Sequence, residues 1–340
     1  MLEKYDNHQL QNWRICPLKG YYRHEQHLIV EGGKVPALEY GIAAHKGLDE
    51  LYRTHELEKA QLAFLDYYES VFETFDPNAP DTEKHDPTIG MMMLRDYWNY
   101  WEKSIIAMEL LAVEQYFVID VGLDEEQECP YCTKSKADDT VPCIYCNDTK
   151  HVRGPLYCGV VDKVFLDSRS KFVVGMDHKT TSMLTGALIN AYKISQQFRG
   201  YVYWLKRHSQ WKDQCGEYFC IDLLLKTKKT KYNPDDVPFY RDTVLAQPEF
   251  LNEWWDDMVD HIKEIRKSRT KATVGELAVI NGEFGVLRNL PRQNSDSCNK
   301  FNRVCQYYDL CSQPRSTRDT LAEDLYELDT WDPLNRDDEG

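Results

Sequence analysis

No run of this chain is apolar for long enough to cross a bilayer. The longest candidate, SIIAMELLAVEQYFVIDVG (residues 104–122), is interrupted by Glu109, Glu114 and Asp120, whereas a spanning helix needs about 20 mostly apolar residues. Residues 1–13, MLEKYDNHQLQNW, are polar, so a secretory leader and a membrane partner are not expected. An overall basic excess is also missing. Lys and Arg total 41 against 56 Asp and Glu, a net charge of −15, which argues against an indiscriminate nucleic-acid coat. No internal repeat is visible. What is present is 340 residues, 42% of them hydrophobic, enough for one large domain or two modest ones in a cytoplasmic protein.

Cysteine, in contrast, is plentiful. Eleven in a reducing compartment are metal ligands more often than disulfides. Cys129, Cys132, Cys143 and Cys146 make two CxxC knuckles, a strong four-thiolate zinc signal. Cys298, Cys305 and Cys311 cluster late, and Cys16 stands alone early. Cys158, Cys215 and Cys220 read as small buried hydrophobes. Charge is uneven too. Arg199, Lys226, Lys228 and Lys229 belong to a basic stretch over 199–231, read either as a solvated face or as a DNA contact. A second basic run covers 261–273. Residues 321–340 are acidic and read as a solvated tail.

Apolar spacing predicts helices over 38–75, 88–112, 183–208 and 247–271, with a Pro- and Asp-rich linker after the first. EQYFVIDVG (114–122) alternates as a strand, and GEYFCIDLLLKTKK supplies one or two more. Between them, GVVDKVFLDSRSKFVVGMDHKTTS (159–182) reads as a strand, a polar turn and a strand. The order of elements implies an α/β domain with a mixed sheet.

That hairpin carries Asp162 on one strand and Asp177-His178-Lys179 on the other. Buried carboxylates on adjacent strands need a cation or an ion pair. Two of them can hold a divalent metal, and a neighbouring ammonium can orient a water and stabilise developing charge.

Gly159 to Asp162, Asp177 to Lys179 and Gln197 to Tyr201 together resemble, in order and spacing, the PD-(D/E)XK nuclease superfamily. They are most similar to its RecB- and AddB-like branch, which includes the CRISPR-associated exonucleases. The resemblance runs over 14–312. It implies a restriction-endonuclease-like fold, a mixed central sheet flanked by helices, with a helical insertion at about 46–112 and a zinc-binding insertion at about 123–155. The nuclease domain would span 1–320. The resemblance also implies that His45, in YGIAAHKGLDEL after Gly41, joins Asp162, Asp177 and the His178 carbonyl around Mg²⁺ or Mn²⁺. Lys179 would serve the attacking water, with Gln197 and Tyr201 on one helix face. Glu114 is a weaker accessory candidate.

Cysteine-bearing members of that branch pair three late cysteines with an early one before proline. CPLKGYYRH at Cys16 and CNKFNRVCQYYDLC at Cys298, Cys305 and Cys311 are similar, and imply a [4Fe–4S] cluster. The six-residue gap between Cys298 and Cys305 departs from the commoner two. Zinc could sit in the same four sulfurs. The CxxC insertion is not carried over from relatives. It reads as a structural zinc lobe or, with Lys134, Lys136, Lys150, His151 and Arg153, as a contact surface.

The expected function is therefore a metal-dependent DNA exonuclease acting on single strands or duplex ends in recombination, repair or replication. It would work beside a helicase, recombinase or similar partner, in a bacterial cytoplasm or in that of a host if phage-encoded. The alternatives are a non-catalytic DNA-binding or scaffold subunit of a helicase–nuclease-type complex, and a zinc-knuckle adaptor.

Overall fold

The computed structural model describes residues 2–30, 36–72, 85–132, 143–146, 148–227, 237–280, 291–300, 303–330 and 332–334. It divides into two compact units. One takes in the described parts of 1–33, 118–159 and 255–336, the other those of 34–117 and 160–254. Among the described residues no helix is long and apolar enough to cross a membrane.

The second unit is a mixed sheet between helices. Its strands are Glu109–Asp120 (within this unit as far as Phe117), the hairpin strands Leu156–Leu166 (within this unit from Val160) and Val173–Thr181, then Tyr218–Leu225 and Phe239–Leu245. The hairpin pairs antiparallel, with Lys163 opposite Met176. The second hairpin strand then runs parallel to Tyr218–Leu225, with Asp177 opposite Ile221. Parallel neighbours need a crossover, which the helices Gly186–Lys193 and Gln196–Arg207 provide. Phe239–Leu245 closes this side antiparallel, and Glu109–Asp120 pairs with the first hairpin strand.

Side-chain alternation along the second hairpin strand assigns its two faces. Val174 and Met176 enter a core built by three helices, Pro36–Thr54, Leu57–Phe72 and Pro87–Ile106, through Leu48, Leu51, Phe64, Leu94 and Tyr97. Gly175 faces the other way. A Cβ there would overlap the Phe219 ring, which stacks on Phe198 of the Gln196–Arg207 helix with centroids 5.1 Å apart. His178 therefore shares the face of Met176, and Asp177 and Lys179 share that of Gly175.

Helix boundaries differ from those predicted. The predicted 38–75 helix is two, broken at His55, which has φ of 59°. The predicted 183–208 helix breaks before Gln196, where Ser195 is extended. The 88–112 helix stops at Ile106, because Glu109 already begins the strand. In each case the apolar pattern is continuous while the backbone is not.

In the other unit, Asn7–Ile15 and Pro17–His24 form a helical hairpin. Asp6 caps the first helix by accepting from the Gln9 N–H at 2.6 Å, and Pro17 opens the second, where a missing N–H costs nothing. Lys4–Tyr5 pairs with Leu156–Tyr157. Residues 318–328, from the acidic end of the chain, are a helix and a short strand, the latter antiparallel to Leu28–Val30. Arg23 bonds Asp329, and Lys4 bonds Asp332 at 2.7 Å, so this acidic stretch has built contacts rather than only solvent.

Candidate functional site

The hairpin ladder ends at Lys163 and Met176. One step further Asp162 stands opposite Asp177, and here the strands use side chains instead of backbone. The His178 N–H donates to Asp162 Oδ2 at 2.8 Å, and His45 Nδ1 lies 3.2 Å from the same oxygen. Lys179 Nζ lies 2.7 Å from Asp177 Oδ2.

His45 comes from the Pro36–Thr54 helix and Glu114 from the Glu109–Asp120 strand, at a residue of φ 49° that turns the strand locally. One ligand atom each from His45, Glu114 and Asp162 falls within 4.8 Å of the others. Asp177 lies outside that trio. Its side chain is almost wholly buried, and neither oxygen has an aligned hydrogen bond even though Lys179 is close. Lys179 is thus the charged partner of a buried carboxylate whose other oxygen, Oδ1, has no hydrogen bond.

The electrostatics separate the two aspartates. Burial disfavours a charged Asp162, yet His45, then Lys179 and Lys163, hold its carboxyl well below the usual range. Asp177 is pushed up to about 6, first by burial and then by the Asp162 charge, against the pull of Lys179. Glu114 is raised by burial and by Asp162 and Asp49. Lys179 is raised, because Asp177 and Asp162 outweigh its burial. Carboxylates at different protonation thresholds around one spot are a mark of functional sites.

The other expected residues are distributed unevenly. Gln197 Nε2 donates to the Tyr201 hydroxyl at 2.6 Å, and the Tyr201 ring is buried among Phe117, Phe198 and Phe219. The Tyr201 ring thus packs on the sheet face that also carries Asp177 and Lys179. The His178 side chain is fully buried and points into the opposite face from its two neighbours. Lys226 is half-buried, 2.9 Å from His85 Nε2 and 5.2 Å from the Tyr40 ring centre, and Arg199 lies over Phe250. Lys228 and Lys229, like Lys134 and Lys136, lie outside the described residues. Tyr192, not singled out from sequence, has its phenol raised by burial and by Asp177, with Lys179 opposing.

The two cysteine sets differ in spacing. Cys129, Cys132, Cys143 and Cys146 each offer a sulfur within 4.8 Å of the rest, with Cys132 and Cys146 sulfurs 3.3 Å apart. A tetrahedral zinc with bonds near 2.3 Å sets its sulfurs about 3.8 Å apart, so this set could hold one metal ion. Tyr131 and Tyr145, one from each knuckle, stack at 3.6 Å beside it.

Among the described residues, Cys16, Cys298, Cys305 and Cys311 form no group that tight. They are neighbours nonetheless. The Cys311 thiol is pushed up to about 11, mainly by burial, with Cys305, Cys16 and Cys298 adding to the rise. The Asn294 N–H donates to Cys16 Sγ at 3.3 Å, and the Gln293 amide to Cys298 Sγ at 3.6 Å.

No curated protein matches this chain. A family model does, over residues 8–312, a span that takes in the hairpin, His45, Glu114 and the Cys16 and Cys311 ends; its description is the PD-(D/E)XK nuclease superfamily, whose members use divalent metals, and to that superfamily this chain belongs.

Proposed function

We propose that the protein is a divalent-metal-dependent DNA nuclease, an exonuclease acting on single strands or duplex ends. The observation that carries the reading is the meeting of His45, Glu114 and Asp162 beside an Asp177 whose buried oxygens have no aligned hydrogen bond. These donors fit Mg²⁺ or Mn²⁺. Carboxylate oxygens suit both, and an imidazole nitrogen favours Mn²⁺. Asp162, Asp177, His45 and Glu114 would hold the ion, with the His178 carbonyl as a further donor. When bound, it would supply Lewis-acid stabilisation of charge on the phosphoryl oxygens.

The chain's own residues do the rest. Lys179, partly exposed and cationic, would orient the attacking water and face the developing negative charge. Asp177 keeps that ammonium in place. Gln197 and Tyr201, bonded to each other, would support the strand on the face that carries Lys179. Displacement at phosphorus would be in line.

Cys16, Cys298, Cys305 and Cys311 would bind a [4Fe–4S] cluster. Their wider spacing and the two N–H···S contacts suit a multi-iron cluster better than a single ion. The CxxC set would bind structural Zn²⁺. The DNA would be met by the metal site and by basic residues including Arg199 and Lys226, and the working partner would be a helicase, recombinase or related protein.

The test is digestion of end-labelled linear and circular single-stranded DNA with Mn²⁺. Attack on the linear form alone supports the exonuclease. Attack on both refutes that specificity and leaves a nuclease. Attack on neither refutes the reading.

A further inference from the structure

On the face of the sheet away from Asp177 lies a second set of charges, all but its Arg241 end buried. Lys163, His178 and Asp222 are each fully buried, and Asp49 nearly so. Lys163 Nζ bonds Asp49 Oδ1 at 2.9 Å and lies 3.5 Å from His178 Nδ1. His178 Nε2 lies 3.3 Å from the Tyr97 hydroxyl, which donates to Asp222 Oδ2 at 2.6 Å. Arg241 donates to Asp222 and to the hydroxyls of Tyr97 and Tyr52, at 2.8 and 3.1 Å for the last two, while its guanidinium rests 4.1 Å from the Trp101 ring centre. Two cations and two anions make the set neutral. The His178 ring sits between the Lys163 ammonium and the Tyr97 hydroxyl, placed to accept from the first and donate to the second.

Such a set is poor evidence for stability. Apolar residues of similar volume would pack as well without the desolvation cost. What directional bonds add is register, and here three of the bonded residues stand beside a ligand-bearing one. Asp49 is one helical turn beyond His45, on the same helix face. Lys163 follows Asp162. His178 lies between Asp177 and Lys179, and its N–H holds Asp162.

We propose that the Lys163–Asp49 pair, continued through His178 to Tyr97, Asp222 and Arg241, is a positioning device: it fixes the His45 helix against the hairpin and thereby sets the affinity of the metal site. Lys163 acts on the metal site indirectly, through Asp162 and His45. It never meets substrate, because its ammonium is enclosed by Asp49, His178 and the Tyr52 ring. The inference rests on the nuclease reading of the metal site.

The test measures Mn²⁺ binding directly by calorimetry, alongside the Mn²⁺ dependence of cleavage. The double variant Asp49→Leu/Lys163→Met removes both charges and leaves none unpaired. It should bind Mn²⁺ about 10- to 100-fold more weakly, as loss of residues that orient metal ligands does. Its rate at saturating Mn²⁺ should stay near that of the wild type. Tyr97→Phe removes one hydroxyl and keeps the packing, so it reports even if the double variant does not fold. It should weaken Mn²⁺ binding about two- to tenfold, the scale of one hydrogen bond. Unchanged Mn²⁺ affinity in Tyr97→Phe, or in a folded double variant, overturns the proposal. Wild-type protein that binds no Mn²⁺ sinks the nuclease reading itself.

Discussion

Asp177→Asn should make the metal-free protein more stable while destroying its activity. The Asp177 carboxyl has an ordinary value of 3.8 and is pushed up to about 6 in the fold by burial and by Asp162. Between those two values the folded protein keeps a proton that the unfolded chain has released. Stability therefore falls as pH rises through that window, and above about 6 the charged carboxylate imposes its full cost. A shift of about two units corresponds to roughly 3 kcal/mol at pH 7.5. The attraction of Lys179 is already contained in that shift, and an amide that fits the site less well than a protonated carboxyl takes back part of the gain. The net gain should be about 1–3 kcal/mol. Urea unfolding in EDTA at pH 7.5 and again near pH 4 measures it. The variant's advantage should appear at the higher pH and vanish at the lower. Added Mn²⁺ should raise the wild-type midpoint far more than the variant's, because a ligand stabilises the state that binds it. A variant less stable than wild type in EDTA at pH 7.5 would refute the reasoning.

Lys179→Met should lower the cleavage rate by about 10²-fold or more, as removal of a group facing transition-state charge does, with Mn²⁺ affinity retained in calorimetry. Glu114→Gln should raise the Mn²⁺ concentration needed for half-maximal cleavage; an unchanged requirement would remove Glu114 from the ligand set. Gly90→Ala would drive a methyl into the buried Phe64 ring. Overpacking of about 1–3 kcal/mol should exceed the helix-propensity gain of about 1 kcal/mol, lowering the denaturant midpoint. Cys305→Ala should abolish absorbance near about 400 nm in anaerobically purified protein and leave zinc bound, whereas Cys143→Ala should do the reverse; metal analysis of both reads out the assignment.

The hairpin that places Asp162 opposite Asp177 was legible because alternation, a polar turn and two out-of-place charges all fall within 24 residues (159–182). His45 was legible only through a resemblance, since nothing local to a helix marks one histidine as a ligand. Glu114 gave a weaker sign. A single acid opening a strand is common, and what brings it to Asp162 is a backbone turn at φ 49°. The strand Phe239–Leu245 was missed because FYRDTVL carries Arg241 and Asp242 side by side, one charge on each set of its alternation. Its Arg241, with Lys163 and Asp222, belongs to the buried network. The signal was there: Lys163 and Asp222 each interrupt an otherwise apolar strand, VVDKVF and CIDLLL. Burial on both faces turns such a residue from a solvent-facing charge into one that must be paired, and only tertiary structure shows which case applies.

The antiparallel pairing of Leu28–Val30 with Tyr326–Leu328 has a consequence for how the chain is made. The first strand leaves the ribosome almost 300 residues before its partner exists. At a synthesis rate of roughly 5–20 residues per second, its hydrogen-bonding edge must wait roughly 15 to 60 seconds for its mate. Closure of so long a loop carries an entropic cost that grows only slowly with length, so the delay is set by translation and not by search. Throughout that interval LIV is an unpaired apolar edge, the kind of element that recruits other chains. Slowing translation over the final 50 or so residues should therefore increase aggregation in proportion to the waiting time, and a stop codon just before Tyr326 should make that exposure permanent.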